Sequence, residues 1–441
     1  MGERRGFVGW VRGKEKTIVY ALAALTVFGG SVMSFRAGDK VRSMDEPEFY
    51  DVAKNLAEGG TFAHTNTAGE LVYNSRFPTG ARVETAYQAP GYPLLLAPLA
   101  LAGAGYAGMR TFNFILVALT LILIFRLLAE HQSPLGGLLA AVGVLAYPVV
   151  LYTAGTLYPQ TLGSFLLVLT VWLAAAATKE SGVPRFLLLG VAAGAMALAV
   201  PTLLLIVPLI LLWLFVARHP AVWKLGLTAL ATIVVVGSWT VRNAVTFGRF
   251  VPIASSAGFN LASGNCDTAR SDTSLDVRFA PEVYTELTGK DEIDANRILM
   301  HAGTDWIRTH PQRFVGLYVG KFLHWFAYTN KLLSDTVVQG GASEVSSSKR
   351  DLVMLAIYGT MLLLLAARVV MSRRIPWSSV EILCVLLYVG LGLAYALFFT
   401  RIRFRLPVDW LLVAVDAGFV AALLERRAGA SVARAAPARS A

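Results

Sequence analysis

Ten apolar runs, most of them close to the length of a bilayer crossing, set the terms on which this chain can fold. They lie near residues 18–35, 108–128, 135–152, 158–178, 186–200, 202–217, 222–241, 350–371, 377–399 and 406–424. About 20 apolar residues carry a helix across the hydrocarbon core. There every backbone N–H and C=O must find its partner within the protein, which leaves helices as the spanning element for runs of this length. The expectation is an all-α polytopic membrane protein of about 10 to 11 spans. Hydrophobic residues make up 56% of the 441, more than a soluble globule of this size buries. The first run ends in Met33-Ser34-Phe35-Arg36, without a small-residue cleavage pattern, and reads as a retained helix.

The formal charge is +11. No basic-aromatic stripe accompanies it, so nucleic acid is not the partner implied; the lipid bilayer is. Arg4, Arg5, Arg12, Lys14 and Lys16 place the N-terminus in the cytoplasm. Alternation of ten spans then puts the clusters at 179–185, 218–224 and 368–374, and the tail with Arg426, Arg427, Arg434 and Arg439, on the same side. The apolar stretch 313–329 contains Lys321 and His324, and a crossing there would turn Arg373, Arg374 and the tail outward. It is expected to lie in or dip into the outer face, with Trp325 and Phe326 as an interfacial aromatic anchor.

The resulting organisation is a basic cytoplasmic N-terminus (1–17), a first span (18–35) and a first extracytoplasmic loop (36–107). Further spans (108–242), an extracytoplasmic region with the interfacial helix (243–349), C-terminal spans (350–425) and a basic cytoplasmic tail read as disordered (426–441) follow. Within the first loop, Glu48 to Ala57 fits a short amphipathic helix ended by Gly59-Gly60, and the proline-broken Ala89 to Ala97 a short re-entrant or juxtamembrane helix. The polar stretch Asn260–Asp305 reads as a small outer lobe with a helix near 291–308. Cys266 and Cys384 sit in unlike surroundings and are not expected to pair. There is no internal repeat and none of the broken-helix symmetry of many transporters.

Chemistry concentrates at the outer ends of the spans. Asp45-Glu46 follows the first span by ten residues, at headgroup depth, where a carboxylate can take a proton from an incoming hydroxyl. The competing reading is a solvated loop. A divalent cation (Mg or Mn) is compatible with two adjacent acids, although no further ligand set accompanies them and no cofactor is required. Arg242, Arg249, Lys321, Arg401, Arg403 and Arg405 gather on the same face. Arg401-Ile402-Arg403-Phe404-Arg405 joins two spans there, against the positive-inside bias, and guanidinium forks suit phosphate. Headgroup anchoring is the alternative. The turns at Gly258-Phe259-Asn260 and Ser263-Gly264-Asn265 offer asparagines to sugar hydroxyls; His64, His301 and His310 show no ligand spacing.

In order along the chain, Asp45-Glu46-Pro47-Glu48-Phe49-Tyr50, Leu56-Ala57-Glu58-Gly59-Gly60, Ala89-Pro90-Gly91-Tyr92-Pro93-Leu94, Gly237-Ser238-Trp239-Thr240-Val241-Arg242-Asn243, Phe247-Gly248-Arg249-Phe250-Val251-Pro252, Gly258-Phe259-Asn260-Leu261, Gly264-Asn265 and Arg403-Phe404-Arg405-Leu406-Pro407 resemble the GT-C-fold glycosyltransferases that use polyprenyl-phosphate sugars. The nearest likeness is to bacterial relatives of protein O-mannosyltransferase and of the lipid A aminoarabinose transferase. The resemblance implies a GT-C-like helix bundle in the cell (plasma) membrane and a polyprenyl-phosphate-linked sugar as donor. It also implies an acceptor glycan, lipid or protein at the extracytoplasmic face and an inverting transfer. It maps the catalytic acid-base role onto Asp45, with Glu46 beside it, and donor-phosphate binding onto Arg242, Lys321, Arg401, Arg403 and Arg405. Tyr87, Gln88, Tyr92, Gln160, Asn243, Asn265 and His324 are the implied substrate contacts. Departures are the neutral Gln160, where many relatives carry an acid, Val200-Pro201-Thr202 without its preceding arginine, and Tyr87-Gln88-Ala89 where an arginine is expected. The alternatives are a lipid-linked-sugar transporter or flippase, and a non-catalytic membrane assembly subunit. Against transport, the spans read as nearly free of acids and bases apart from Glu381.

Overall fold

The computed structural model describes residues 11–43, 45–66, 78–179, 182–272, 277–328 and 348–435. It is a helix bundle with a small lobe at one end. Among the described residues, eight helices are long and apolar enough to cross a membrane: α1 (Glu15–Ala37), α4 (Tyr106–His131), α7 (Gln160–Ala177), Pro201–Arg218, α10 (Val222–Phe247), Asp351–Arg373 (which takes in most of α15, Ser348–Val370), α16 (Ser379–Ala396) and Ile402–Ala428. The remaining two expected spans take other forms. Residues 135–152 become α5 (Pro134–Leu145) and α6 (Pro148–Ala154), bent by 65° where Pro148 denies the ladder an N–H. Residues 186–200 become a 17-residue apolar helix, α8 (Val183–Ala199). Pro201–Arg218 opens as a 3₁₀ turn and continues as α9 (Val207–Arg218).

At the centre is α17 (Ile402–Ala435), packed against α5, α7 and α16; α1 packs on α4, and α10 lies outside, on α8. The helix α17 runs past the expected end of the last span, so the tail is helical to Ala435, and 436–441 lie outside the described residues. Asp409 and Asp416 are buried within α17, a correction to the nearly charge-free spans expected. Asp409 is ion-paired with Arg405, one turn away, at 3.0 Å, whereas neither oxygen of Asp416 finds a partner among the described residues.

The first outer loop begins with α2 (Glu46–Gly59). Pro47 fits its first turn, and Gly60, at φ 67°, ends it with an N–H to Leu56 O. One face buries Phe49, Val52, Ala53 and Asn55. On the other side of the helix end, Asp51 accepts from Thr65 N (2.5 Å) and Thr65 Oγ1 (2.8 Å), and Asn55 Nδ2 donates to Ala63 O (3.0 Å). These bonds clamp β1 (Ala63–Thr65), which pairs antiparallel with β2 (Arg82–Glu84). The proline-rich stretch forms α3 (Gly91–Leu101), set down so closely on the end of α8 that a Cβ at Gly91 would lie 2.7 Å from Ala199 N.

The lobe holds α11 (Ala257–Gly264), α12 (Pro281–Leu287), α13 (Glu292–Thr309) and α14 (Pro311–His324). Asp291 caps α13 through Ile293 N and Asp294 N, and Arg249 pairs with Asp291 and Asp294. Lys321 Nζ donates to Gly264 O (2.6 Å) and Asn265 Oδ1 (3.2 Å), while Asn265 Nδ2 reaches Leu397 O (2.9 Å). Lobe and bundle are thereby joined. Trp325 is 1% exposed and stacks on Tyr395 at 5.7 Å, so it belongs to the core and is no interfacial anchor. Cys266 and Cys384 are both free and buried.

Glu292 ties the lobe to the first loop: its carboxylate accepts from Ala86 N (2.5 Å), Thr85 Oγ1 (2.8 Å) and Ser255 Oγ (3.3 Å). Burial raises its pKa above the ordinary 4.5. In the window from 4.5 up to that raised value the folded chain holds more protons than the unfolded one. Thermal midpoints should therefore fall as pH climbs from 4.5 towards neutrality, and Glu292→Gln should flatten that slope. The mutant's slope matching wild type would assign the dependence to other groups. A second expectation concerns Glu46, wholly buried against Arg110 (2.9 Å). Removing its charge leaves the guanidinium unpaired, so Glu46→Gln should cost about 3–5 kcal/mol in detergent unfolding.

Candidate active site

A cleft of about 440 Å³ opens where α2, the start of α7, the α8–3₁₀ junction, the lobe and the start of α17 converge. Asp45, Glu48, Tyr87, Gln88, Tyr158, Gln160, Thr202, Asn260, Arg401 and Arg403 supply its polar lining, and Phe49, Phe259, Tyr395, Phe398, Phe399 and Phe404 its aromatic walls.

Asp45 and Arg403 meet inside it, Oδ2 to Nη1 at 2.5 Å, although 358 residues separate them. The Arg403 guanidinium lies over the rings of Tyr158 (4.9 Å) and Phe404 (5.1 Å), and its Nε is buried without an acceptor among the described residues. Phe404 in turn stacks on Tyr395 at 5.1 Å. A planar cation held between rings, with one donor unfilled, is suited to a phosphate oxygen. Arg401, 6% exposed, adds a second cation over Phe399. Gln88 Nε2 donates to Glu48, fixing both side chains on the cleft wall.

Of the expected site residues, the cleft gathers Asp45, Tyr87, Gln88, Gln160, Arg401 and Arg403. The others point elsewhere, each for a physical reason. Glu46 turns from Asp45 into the bundle, where it accepts from Arg42 N (2.5 Å), Ser43 N (3.3 Å), Leu157 N (2.9 Å) and the Arg110 fork. Arg405 is sequestered by Asp409, the carbonyls of Trp325 and Ala327, and the face of Tyr358 at 3.7 Å. Arg242 donates to Thr85 O (2.9 Å) and Phe62 O (3.0 Å), bracing β2 and its flank against α10. Beside it Asn243, wholly buried, donates to Val251 O (3.1 Å). Lys321 and Asn265 are spent on the lobe joint described above. Tyr92 is buried, its hydroxyl on Asn113 (3.1 Å), and His324, at the end of α14, does not line the cleft. The donor set does not fit a divalent cation: Glu46 is committed to Arg110, Gln160 is neutral, and no group of three or more His, Cys, Asp or Glu side chains suited to a metal occurs among the described residues.

Glu48 and Tyr395 are among the lining residues that escaped the sequence reading. Glu48 carried a signal, since it lies three residues beyond Asp45 on one helix and shares its face. Tyr395 carried none, because its place in the cleft comes from stacking on Phe404.

Exchanging these two arginines should separate their roles. Arg403→Met should weaken binding of a polyprenyl monophosphate about 10- to 100-fold with little change in thermal midpoint. Arg405→Met should lower the midpoint and leave the affinity of the folded fraction unchanged. The opposite pattern would place the phosphate at Arg405.

Residues 88–239 match the family model described as dolichyl-phosphate-mannose-protein mannosyltransferase. No curated protein sequence matches the chain. In fold it is similar to the oligosaccharyltransferase of Archaeoglobus fulgidus in the apo form, at 14% identity and TM-score 0.57, over 98% of this chain and 53% of that one. It is similar also to the oligosaccharyltransferase AglB of that organism in complex with an inhibitory peptide and a dolichol-phosphate, at 13% identity, TM-score 0.57 and the same coverage. The chain thus spans about half the length of the archaeal protein. ArnT from Cupriavidus metallidurans bound to undecaprenyl phosphate aligns over 95% of this chain and 79% of its own at 12% identity, with a TM-score of 0.43; the fold assignment rests on the archaeal protein. The chain thus shares the fold of the archaeal oligosaccharyltransferase, and its residues 88–239 are similar to the mannosyltransferase family model.

Proposed function

We propose that the protein is a multi-pass glycosyltransferase that moves a sugar from a polyprenyl-phosphate donor to an acceptor hydroxyl. The reaction takes place at the extracytoplasmic face of the cell membrane, with inversion and with Asp45 as general base; both termini face the cytoplasm. The observation that carries this reading is the contact of Asp45 with Arg403 in one cleft at the ends of the spans. A carboxylate and a guanidinium one hydrogen bond apart in one cleft support a reading in which acceptor hydroxyl and donor phosphate are brought to the same anomeric carbon. The family description over residues 88–239 and the dolichol-phosphate of the archaeal complex supply the donor class.

The donor phosphate takes Arg403, filling its empty Nε, with Arg401 as the second cation. That anion competes for the guanidinium now held by Asp45 and releases the carboxylate. The acceptor hydroxyl approaches the anomeric carbon opposite the phosphate and gives its proton to Asp45. Its oxygen bonds to that carbon as the bond to the phosphate oxygen breaks, and the electron pair leaves with the lipid monophosphate. Arg401 and Arg403 stabilise the negative charge growing there. Gln88, Gln160 and Asn260 are placed to hold sugar hydroxyls.

The test is lipid monophosphate release by the purified protein, with a panel of polyprenyl-phosphate sugars and membrane-extract acceptors. Wild type should release it and label an acceptor. Asp45→Asn should lose about 10²–10⁴ in rate while still binding donor. Release at the wild-type rate by Asp45→Asn would remove Asp45 as base. Donor binding without release by either protein would favour a carrier of lipid-linked sugar.

A further inference from the structure

A second pocket, of about 310 Å³, lies at the opposite end of the bundle. The helices that frame the cleft also frame this pocket. α7 starts at Gln160 in the cleft and is followed by Thr178 and Lys179 here; α16 has Tyr395 in the cleft and Ser379 and Val380 here. His131 at the end of α4, Ala217 and Arg218 at the end of α9, Trp213 and Ser378 complete the lining. Among the described residues that line it, three side chains are basic and none is acidic.

Cations at helix C-termini are often explained by the carbonyls they cover, and two of these are. His131 has its ring nitrogens on Leu127 O (3.0 Å) and Ala175 O (3.2 Å), and Lys179 Nζ donates to Glu130 O. Arg218 is different: its guanidinium has no hydrogen bond or ion pair among the described residues, and it borders the cavity. Two acids of the described residues on the framing helices are already engaged. Glu381 is held by Arg368 at 2.9 Å and by its cap, and Glu130 by Arg126 (3.3 Å) and Trp172 Nε1 (3.2 Å). Trp213, with its indole N–H on Ser379 O (2.8 Å), gives the pocket one apolar wall at the level of the span ends, where amphipathic aromatics meet headgroups. An unfilled guanidinium fork, a lysine with donors to spare and an amphipathic wall between helix ends have the chemistry of a phosphodiester site open to the bilayer surface.

We propose that this pocket binds the phosphate of an anionic phospholipid headgroup, held by Arg218 and Lys179, in the leaflet opposite the cleft. The inference does not depend on the activity proposed for the cleft. Native mass spectrometry of the full chain, released from micelles doped with phosphatidylglycerol or phosphatidylcholine, tests it. Wild type should retain phosphatidylglycerol in preference. Arg218→Gln should lower that retention about fivefold, whereas Lys224→Gln, which removes a cation of the same belt outside the pocket, should not. Unchanged thermal midpoints in lipid-free detergent verify that both variants fold. Equal retention of the two lipids, or equal losses in the two variants, would overturn the site. Inorganic phosphate alone displacing phosphatidylglycerol and raising the midpoint as much as the lipid does would overturn the lipid as its source.

Discussion

The buried carboxylate of Glu46 is the interaction on which the cleft end of the bundle depends. It is wholly inaccessible, and it collects the Arg110 guanidinium with three backbone N–H groups drawn from residues 42, 43 and 157. Burial of an ion is costly unless its lone pairs are filled, and here they are. The pair fastens the start of α2 to α4 and to the segment that leads into α7. Asp45, one residue earlier, is left at the rim of the cleft. A position beside such an anchor is rigid, which is what a base aimed at a single hydroxyl needs.

Much of this was legible in the sequence. Run length, prolines and glycines gave the bundle, α2 with its Gly60 stop, α3 and α13, because those signals are local. The division of labour between neighbours was not. Asp45 and Glu46 have the same chemistry, and only Arg110 and Leu157, 64 and 111 residues away, decide which is buried. Arg403 and Arg405 are two residues apart on a helix and so point in different directions. The spacing of Arg405 and Asp409, one turn, was a readable sign that Arg405 already had a partner. Trp325 reads as interfacial because its apolar stretch carries Lys321 and His324 and is not counted as a crossing; its burial comes from Tyr388 and Tyr395. The bend between α5 and α6 was signalled by Pro148, but its 65° was not.

The cleft also shows how few side chains carry its electrostatics. Its charged groups are two acids and two arginines, and one acid is matched to one arginine. Among aromatic walls the local dielectric is low, and exchanging one anion for another on Arg403 shifts the whole balance. The neutral Gln160 keeps that balance from tipping negative.

The close approach at Gly264 has a mechanical meaning. A Cβ there would lie 1.8 Å from Phe398 O, and Asn265 and Lys321 bind the same neighbourhood through Leu397 O and Thr400. The short connector from α16 to α17, which carries Arg401 just before Arg403, is thus gripped by the lobe and has no slack of its own. The place of the cleft's arginines is therefore set from the lobe as well as from the bundle.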